Sequence, residues 1–331
     1  MQSEAKKRGG AVKYPRRLFE QADSLLQRRH QEALEIHDQR MAALQENHPA
    51  VYEAYSRKKR QAAQLGWALF REPGRAEELK AEHDAARADL AEQLAAAGLA
   101  PDYLDPPFHC RECEDKGVKG GRTCKCKQAV LNQLMYEQLC DVSIVRACSF
   151  DNFSLDYYEG EQREVMRKVL ASCRNYVANF SGAQSSLLFT GGTGLGKTHL
   201  SLAIAEGVAR SGRLVMYASA PRLTNQLEQA KFQHDDEAEE YRTVIYGCDL
   251  LVVDDLGAEM VTRYTQAEVY DLANTRMNTG LPTIINTNLD MRALEETYKD
   301  RVFSRLLGTY TMIQFKGRDI RLEKRLGRKY G

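Results

Sequence analysis

Residues 185–205 read SSLLFTGGTGLGKTHLSLAIA: an apolar stretch of strand length, a glycine-rich turn, then a run with helical periodicity. The turn, GGTGLGKT at 191–198, matches GxxxxGK[ST] at Gly191, Gly196, Lys197 and Thr198. Four fixed positions coincide by chance in roughly 1% of chains this long, so the setting decides. Strand, loop and helix follow in the order a phosphate cradle needs. Glycines let the backbone N–H groups of Gly191, Gly192, Thr193, Gly194, Leu195 and Gly196 curl around phosphates, and the helix start adds partial positive charge. Lys197 is expected to reach the β- and γ-phosphates of ATP, the Thr198 hydroxyl to ligate Mg²⁺, and His199 to extend the nucleotide-binding run.

Downstream, LLVVDD ends an apolar run on Asp254 and Asp255, 57 residues after Lys197. A carboxylate there holds the magnesium shell, and its neighbour orients attacking water. Asn288 follows the strand PTIINT, where a side-chain amide can position water or touch the γ-phosphate; a turn asparagine ahead of Asp290 is the plainer reading. Strands are expected near 186–190, 213–218, 249–254, 282–287 and 310–315, with helices between them. That alternation marks a parallel sheet with crossover helices.

Upstream the chain changes character. Residues 15–100 are rich in Ala, Leu, Glu, Gln and Arg and read as helix, broken at EPG (72–74), with a second helix from Arg75 to Ala97 ended by Gly98. A seam through Ala22, Leu26, Arg29, Ala33, Ile36, Arg40 and Ala43 has alternating four- and three-residue steps, with two arginines that spoil a coiled coil. The segment packs on itself or docks a partner. A linker from Pro101 to Pro107 leads to HCRECEDKGVKGGRTCKCKQ. Cys110, Cys113, Cys124 and Cys126 form two close pairs across a glycine-rich knuckle, a donor set that suits tetrahedral Zn²⁺, with His109 as a possible substitute ligand. Cys140, Cys148, Cys173 and Cys248 sit singly and read as buried apolar residues.

The 331 residues allow two domains, and 43% hydrophobic with 28% charged residues is a soluble, globular balance. Net charge is +1, yet 316–331 hold seven Lys/Arg against two Asp/Glu, and 108–130 hold six against three, so contact with a polyanion is a hypothesis. No apolar run reaches bilayer length and no secretory signal is read, so a cytoplasmic protein without membrane contact is expected.

The motifs GGTGLGKTHLSLAIA, LLVVDDLGAE, PTIINTNL, RVFSRLLG and FKGRDIR, in this order, make residues 140–325 resemble the DnaC/DnaI-type helicase loaders, AAA+ ATPases close to the IstB transposition ATPases. The resemblance implies an AAA+ parallel five-stranded sheet in which the Asn288 strand lies between those carrying Lys197 and Asp254. It implies Arg305 as an arginine finger acting in a neighbouring copy of the chain, hence self-association, with Arg301 a weaker candidate and Arg321 as a sensor arginine. An insertion at 221–246 would line a path for single-stranded DNA. The general Asp-Glu pair is Asp-Asp here, one methylene shorter, which implies slow, switch-like hydrolysis; Glu259 is close enough in sequence to assist. Sixteen residues follow the last expected strand, so no lid domain is expected.

The expected layout is an α-helical partner-binding domain at 1–100, a linker and four-cysteine zinc knuckle at 101–140, and an AAA+ ATPase domain at 141–331. The leading functional reading is an ATP-dependent loader that binds a hexameric replicative helicase and single-stranded DNA. The alternatives are an IstB-like transposition helper and an adaptor that binds ATP without hydrolysing it. Single-strand binding is expected to be salt-sensitive and indifferent to sequence. Tyr264 and Tyr270, which follow Arg263 in the chain, are candidates for base stacking.

Overall fold

The computed structural model describes residues 14–139, 148–182, 184–232 and 236–325. The chain divides into two compact units, one formed by Asp23–Lys127 and the other by residues up to Ala22 together with Gln128 onward.

The first unit is built on helices α1 (Arg16–Asn47), α2 (Pro49–Arg71) and α3 (Ala76–Ala96). The break at EPG is a single 3-10 turn, Pro73–Arg75. A second break, at His48, divides what the sequence reads as one helix. Pro49 has no N–H for the turn before it, but its fixed φ suits the first position of a new helix. The expected seam also drifts. Ala22, Leu26 and Ala33 are buried, whereas Ile36 and Ala43 are exposed and Leu44 is buried in their stead. A 3.5-residue repeat slips about 20° per heptad on a straight helix, so the inward stripe moves on by one residue. Leu44, Val51, Ala54, Leu90, Leu94 and Leu104 close the core, each large side chain contributing about 1.5–3 kcal/mol by leaving water.

The knuckle belongs to this unit. Strands β1 (Val118–Lys119) and β2 (Arg122–Thr123) form a two-residue hairpin, after which α4 (Lys125–Leu139) begins and runs on into the second unit. Gly120 and Gly121 have φ of 56° and 75°, the left-handed pair that such a tight turn demands. The His30 ring of α1 stacks on Phe108 at 5.2 Å, and its Nδ1 lies 2.6 Å from the Glu114 carbonyl oxygen, seating the knuckle on the helix.

The second unit runs α5 (Gly160–Ala178), β3 (Ser186–Thr190), α6 (Lys197–Arg210), β4 (Val215–Ser219), α7 (Ala220–Phe232), α8 (Asp236–Gly247), β5 (Leu250–Leu256), α9 (Arg263–Asn278), β6 (Thr283–Thr287), α10 (Met291–Thr309), β7 (Tyr310–Gln314) and α11 (Ile320–Arg325). Five strands pair in parallel in the order β4-β5-β6-β3-β7, an AAA+-like sheet with flanking helices. All five residues of β6 are buried, as expected for a strand covered on both faces. Its neighbours are β5, which carries Asp254, and β3, which feeds the glycine loop. The expected central place of the Asn288 strand is therefore the observed one.

One buried cation ties this unit together. Arg276 of α9 is 0% exposed. Its guanidinium donates to the carbonyls of Ile245 (2.8 Å), Cys248 (3.1 Å) and Pro282 (2.8 Å), and to Thr283 Oγ1 (2.9 Å). The C-terminal end of α8 supplies negative dipole where no carboxylate pairs with it among the described residues.

Candidate functional site

The glycine loop leaves β3 at its carboxyl end, where a parallel sheet opens its ligand crevice. Gly191, Gly194 and Gly196 have φ of 137°, 71° and 88°. Their lack of a Cβ is also steric: one at Gly194 would meet Asp319 Oδ1 at 1.8 Å, and one at Gly191 the Phe315 carbonyl at 2.4 Å. The loop thus presents bare backbone to a cleft of about 370 Å³, a size suited to a nucleotide.

Lys197, 5% exposed, opens α6. Its ammonium donates to the carbonyls of Gly191 (2.7 Å) and Gly192 (2.6 Å) and to Asn288 Oδ1 (2.6 Å). Burial holds its pKa below the ordinary lysine range, against an opposing pull from Asp255 and Asp254. The Asn288 amide also donates to Asp255 Oδ1 at 3.0 Å, so one asparagine bridges the cation and the acid.

Asp254, 4% exposed, is held from three sides. Thr198 Oγ1 donates to its Oδ1 at 3.1 Å, Asn286 Nδ2 to the same oxygen at 2.7 Å, and the Tyr217 hydroxyl to Oδ2 at 2.8 Å. Burial and the Asp254 charge push the Tyr217 phenol well above its usual pKa, which keeps it a donor. The Asp254–Thr198 pair fits the donor set of a hard divalent cation held by a carboxylate and a hydroxyl.

At the next residue the ladder between β5 and β6 slips, and Asp255 takes a left-handed φ of 54°. The irregularity turns Asp255 into the cleft beside Asn288 while Asp254 stays in the sheet. Glu259 is turned elsewhere. It accepts from the Gly257 N–H at 2.9 Å and from the buried Tyr298 hydroxyl, a pairing that fixes the loop after β5.

Arg321 lines the cleft, and the Ile320 N–H donates to the Gly194 carbonyl at 3.0 Å, tying α11 to the phosphate loop. Arg305 is not among the cleft-lining residues. It lies beside Met277 Sδ (4.0 Å), five residues ahead of Tyr310, which pairs with Ser186 at the opposite end of β3 from the glycine loop. The Arg301 side chain lies outside the described residues. His199 donates from Nε2 to the Ser149 carbonyl at 2.8 Å and packs edge-on against Phe153.

That contact exposes a part of the cleft that pattern reading passes over. Segment 148–158 covers one side of it with Cys148, Asn152, Phe153 and Tyr157, and the Tyr158 hydroxyl donates to the Leu195 carbonyl at 2.8 Å. The signal available was composition: SFDNFSLDYYEG carries four aromatics in twelve residues with no period to place them. Cys148 is accordingly half-buried in the cleft, while Cys173 and Cys248 are buried as expected; Cys140 lies outside the described residues.

In the knuckle, the Sγ atoms of Cys110, Cys113, Cys124 and Cys126 all lie within 4.8 Å of one another. The Cys110–Cys124 and Cys113–Cys126 separations are 3.8 and 3.3 Å. A tetrahedron with Zn–S of about 2.3 Å has edges of roughly 3.8 Å, so the sulfurs fit this ion. Asp115, 1% exposed, accepts from the His109 and Cys110 N–H groups (2.8 and 2.9 Å), and the Gly117 N–H donates to Cys113 Sγ at 3.3 Å. His109 stands outside the cluster.

Among the described residues no helix is long and apolar enough to cross a membrane. The family described as IstB-like ATP binding protein matches residues 137–327, more than half of the chain. The protein named replicative helicase loader DnaC of Buchnera aphidicola subsp. Baizongia pistaciae is 28% identical over 226 residues, covering 66% of this chain and 89% of that one. Its namesake in Escherichia coli (strain K12) is 26% identical over 224 residues, covering 66% and 88%. A crystal structure of the DnaC helicase loader aligns with 52% of this chain and 98% of its own, at 21% identity and a TM-score of 0.46.

Proposed function

Because the chain belongs to the IstB-like ATP-binding protein family, we propose that it is an ATP-hydrolysing helicase loader, working in the cytosol on a replicative helicase and single-stranded DNA. The observation that carries the reading is the convergence of Lys197, Asn288, Asp255 and Arg321 on one cleft floored by the glycine loop. Curated relatives named as replicative helicase loaders, matched over most of their length, direct that chemistry to replication.

Bound Mg–ATP supplies the scissile phosphoanhydride and the charge-neutralising cation. The loop N–H groups and Lys197 bind its phosphates, and Thr198 and Asp254 hold the metal. Asp255 and Asn288 orient the attacking water. Arg321 senses the nucleotide in its own chain, while Arg305 reaches the cleft of a second copy as a finger, since its own cleft is at the other end of the sheet. Zn²⁺ in the knuckle fixes the fold of a segment whose helices contact the helicase.

For DNA, the support is an aromatic cluster at the end of α7, whose cation Lys231 is paired with Glu268 at 3.0 Å. Phe232 is 61% exposed, its ring lies 5.5 Å from that of Tyr264, and Lys231 Nζ sits 4.8 Å over Tyr264. Such a platform stacks bases without reading them. The family description itself favours a second reading, delivery of a transposase to target DNA. The helical unit and its four-cysteine knuckle, which a transposition helper does not need, weigh for the loader.

The test is co-purification with the host's replicative helicase in ATP and in ADP, run beside a transposase control. Nucleotide-dependent capture of the helicase is expected. Capture of transposase alone would move the chain to the second reading, and absence of Mg–ATP affinity would end both.

A further inference from the structure

The hairpin tip of the knuckle is a charged feature that nucleotide chemistry does not use. From Lys116 to Lys127 the sequence carries five basic residues and no acidic one. Lys116 is paired with Glu114 and Lys127 with Asp23, which leaves Lys119, Arg122 and Lys125 exposed and without an ion pair among the described residues. Lys119 and Arg122 face each other in one rung of the β1–β2 ladder. Like charges directly opposite destabilise a hairpin, here one with only two rungs to hold it. A tetrathiolate metal centre draws basic residues toward its sulfurs, but that pull does not call for two of them in the same rung. Between them lie Gly120 and Gly121, around which a Cβ would meet nothing within 4 Å. The backbone of the turn is therefore open to close approach.

From this juxtaposition we infer that the knuckle hairpin is a second nucleic-acid contact, binding the phosphate backbone of single-stranded DNA through Lys119 and Arg122, with Lys125 beside them. A protein partner is the poorer fit. Interface hot spots are enriched in Trp, Tyr and Arg seated in apolar, desolvated pockets, whereas the hairpin has no aromatic residue, its Arg122 stands exposed, and its one apolar side chain is the half-exposed Val118. Phosphate binding needs cations and backbone N–H groups, and reads no sequence. The inference rests on the loader reading only in taking DNA as the polyanion.

The experiment is a salt titration of the full-length protein on a fluorescent oligo-dT. Compared with wild type are Lys119→Ala/Arg122→Ala, the charge-conserving swap Lys119→Arg/Arg122→Lys, and Phe232→Ala. Each lost phosphate contact removes about 0.7 from the slope of log K against log salt, so the double alanine variant should lose about 1.4, or about 25-fold in affinity at 0.1 M salt. The swap should keep the wild-type slope, and zinc content should match wild type in all variants. An unchanged slope in the double alanine variant, while Phe232→Ala weakens binding, overturns the hairpin contact and leaves the loader reading standing. Loss of helicase capture with unaltered DNA affinity overturns it in favour of an acidic protein face. Loss of DNA affinity that tracks loss of zinc, or that the swap shares, overturns it as well. A wild type that binds no DNA in ATP removes both this contact and the DNA part of the loader reading.

Discussion

The hydroxyl of Tyr217 donates to Oδ2 of Asp254 at 2.8 Å, joining β4 to the carboxylate proposed to hold Mg²⁺. Ser219 ends that strand and α7 begins at the next residue, so the chain that reaches Phe232 starts three residues from this bond. Tyr217→Phe should raise the Mg²⁺ concentration for half-maximal turnover about tenfold, as loss of a ligand-orienting bond does. The ATP KM at saturating Mg²⁺ should stay within about twofold, a split that Mg²⁺ titrations at two ATP levels will read.

Lys197 carries a pH signature. Its proton leaves at lower pH than that of an ordinary lysine because burial disfavours the cation. Anionic phosphates placed beside it favour the cation and raise the pKa again. Between those two values ATP binding takes up a proton, so affinity should fall as pH rises through the alkaline range. Calorimetry at alkaline pH in buffers of different ionisation enthalpy should find net proton uptake, and Lys197→Ala should abolish it along with most of the affinity.

Arg276 is a stability residue far from the chemistry. Arg276→Met leaves several buried carbonyls without donors, at about 1–3 kcal/mol for each group left unsatisfied. A loss of roughly 3 kcal/mol lowers Tm by about 6–12 °C in a unit of this size. Differential scanning calorimetry should register that drop, and Arg276→Lys, which lacks the planar fork, should recover little of it.

Asp115 tests the knuckle without touching a sulfur. Its carboxylate holds the His109 and Cys110 N–H groups. Asp115→Ala should weaken zinc affinity about 10- to 100-fold, the usual effect of losing a group that orients a ligand. Competition with a chromophoric chelator measures it, and wild type should retain one zinc per chain.

Arg305 should act only between chains. Arg305→Ala is expected to bind ATP normally and hydrolyse it slowly. Mixing it with Lys197→Ala should restore part of the turnover, since each supplies what the other lacks; no gain on mixing would remove the finger assignment.

Much of this is legible in the amino-acid sequence alone. All five strands of the sheet lie within two residues of their expected ends, because buried parallel strands such as LLVVDD read as apolar runs. The glycine loop and the four cysteines carry fixed spacings and were equally plain. What escaped were contacts made at long sequence range. Tyr217 and Asn286 look like ordinary strand residues until β4, β5 and β6 lie side by side. Phe153 and Tyr157 sit in a segment without period. Pro49 was visible, but a strong helical composition on both sides hid the break it makes. The exposure of Ile36 and Ala43 follows from the difference between 3.5 and 3.6 residues per turn, too small to see over one heptad and decisive over two and three.

The left-handed turn of the backbone at Asp255 bears on why an aspartate stands there. Only glycine, asparagine and aspartate enter that conformation readily; longer side chains incur a penalty of about 1–2 kcal/mol. A glutamate would carry its carboxylate one methylene further into the cleft yet oppose the bend that aims it. The short acid and the bend thus come as a pair, and a longer acid at this position would fit only a straighter β5. Placing a glutamate at 255 therefore calls for straightening β5 first and lengthening the side chain second.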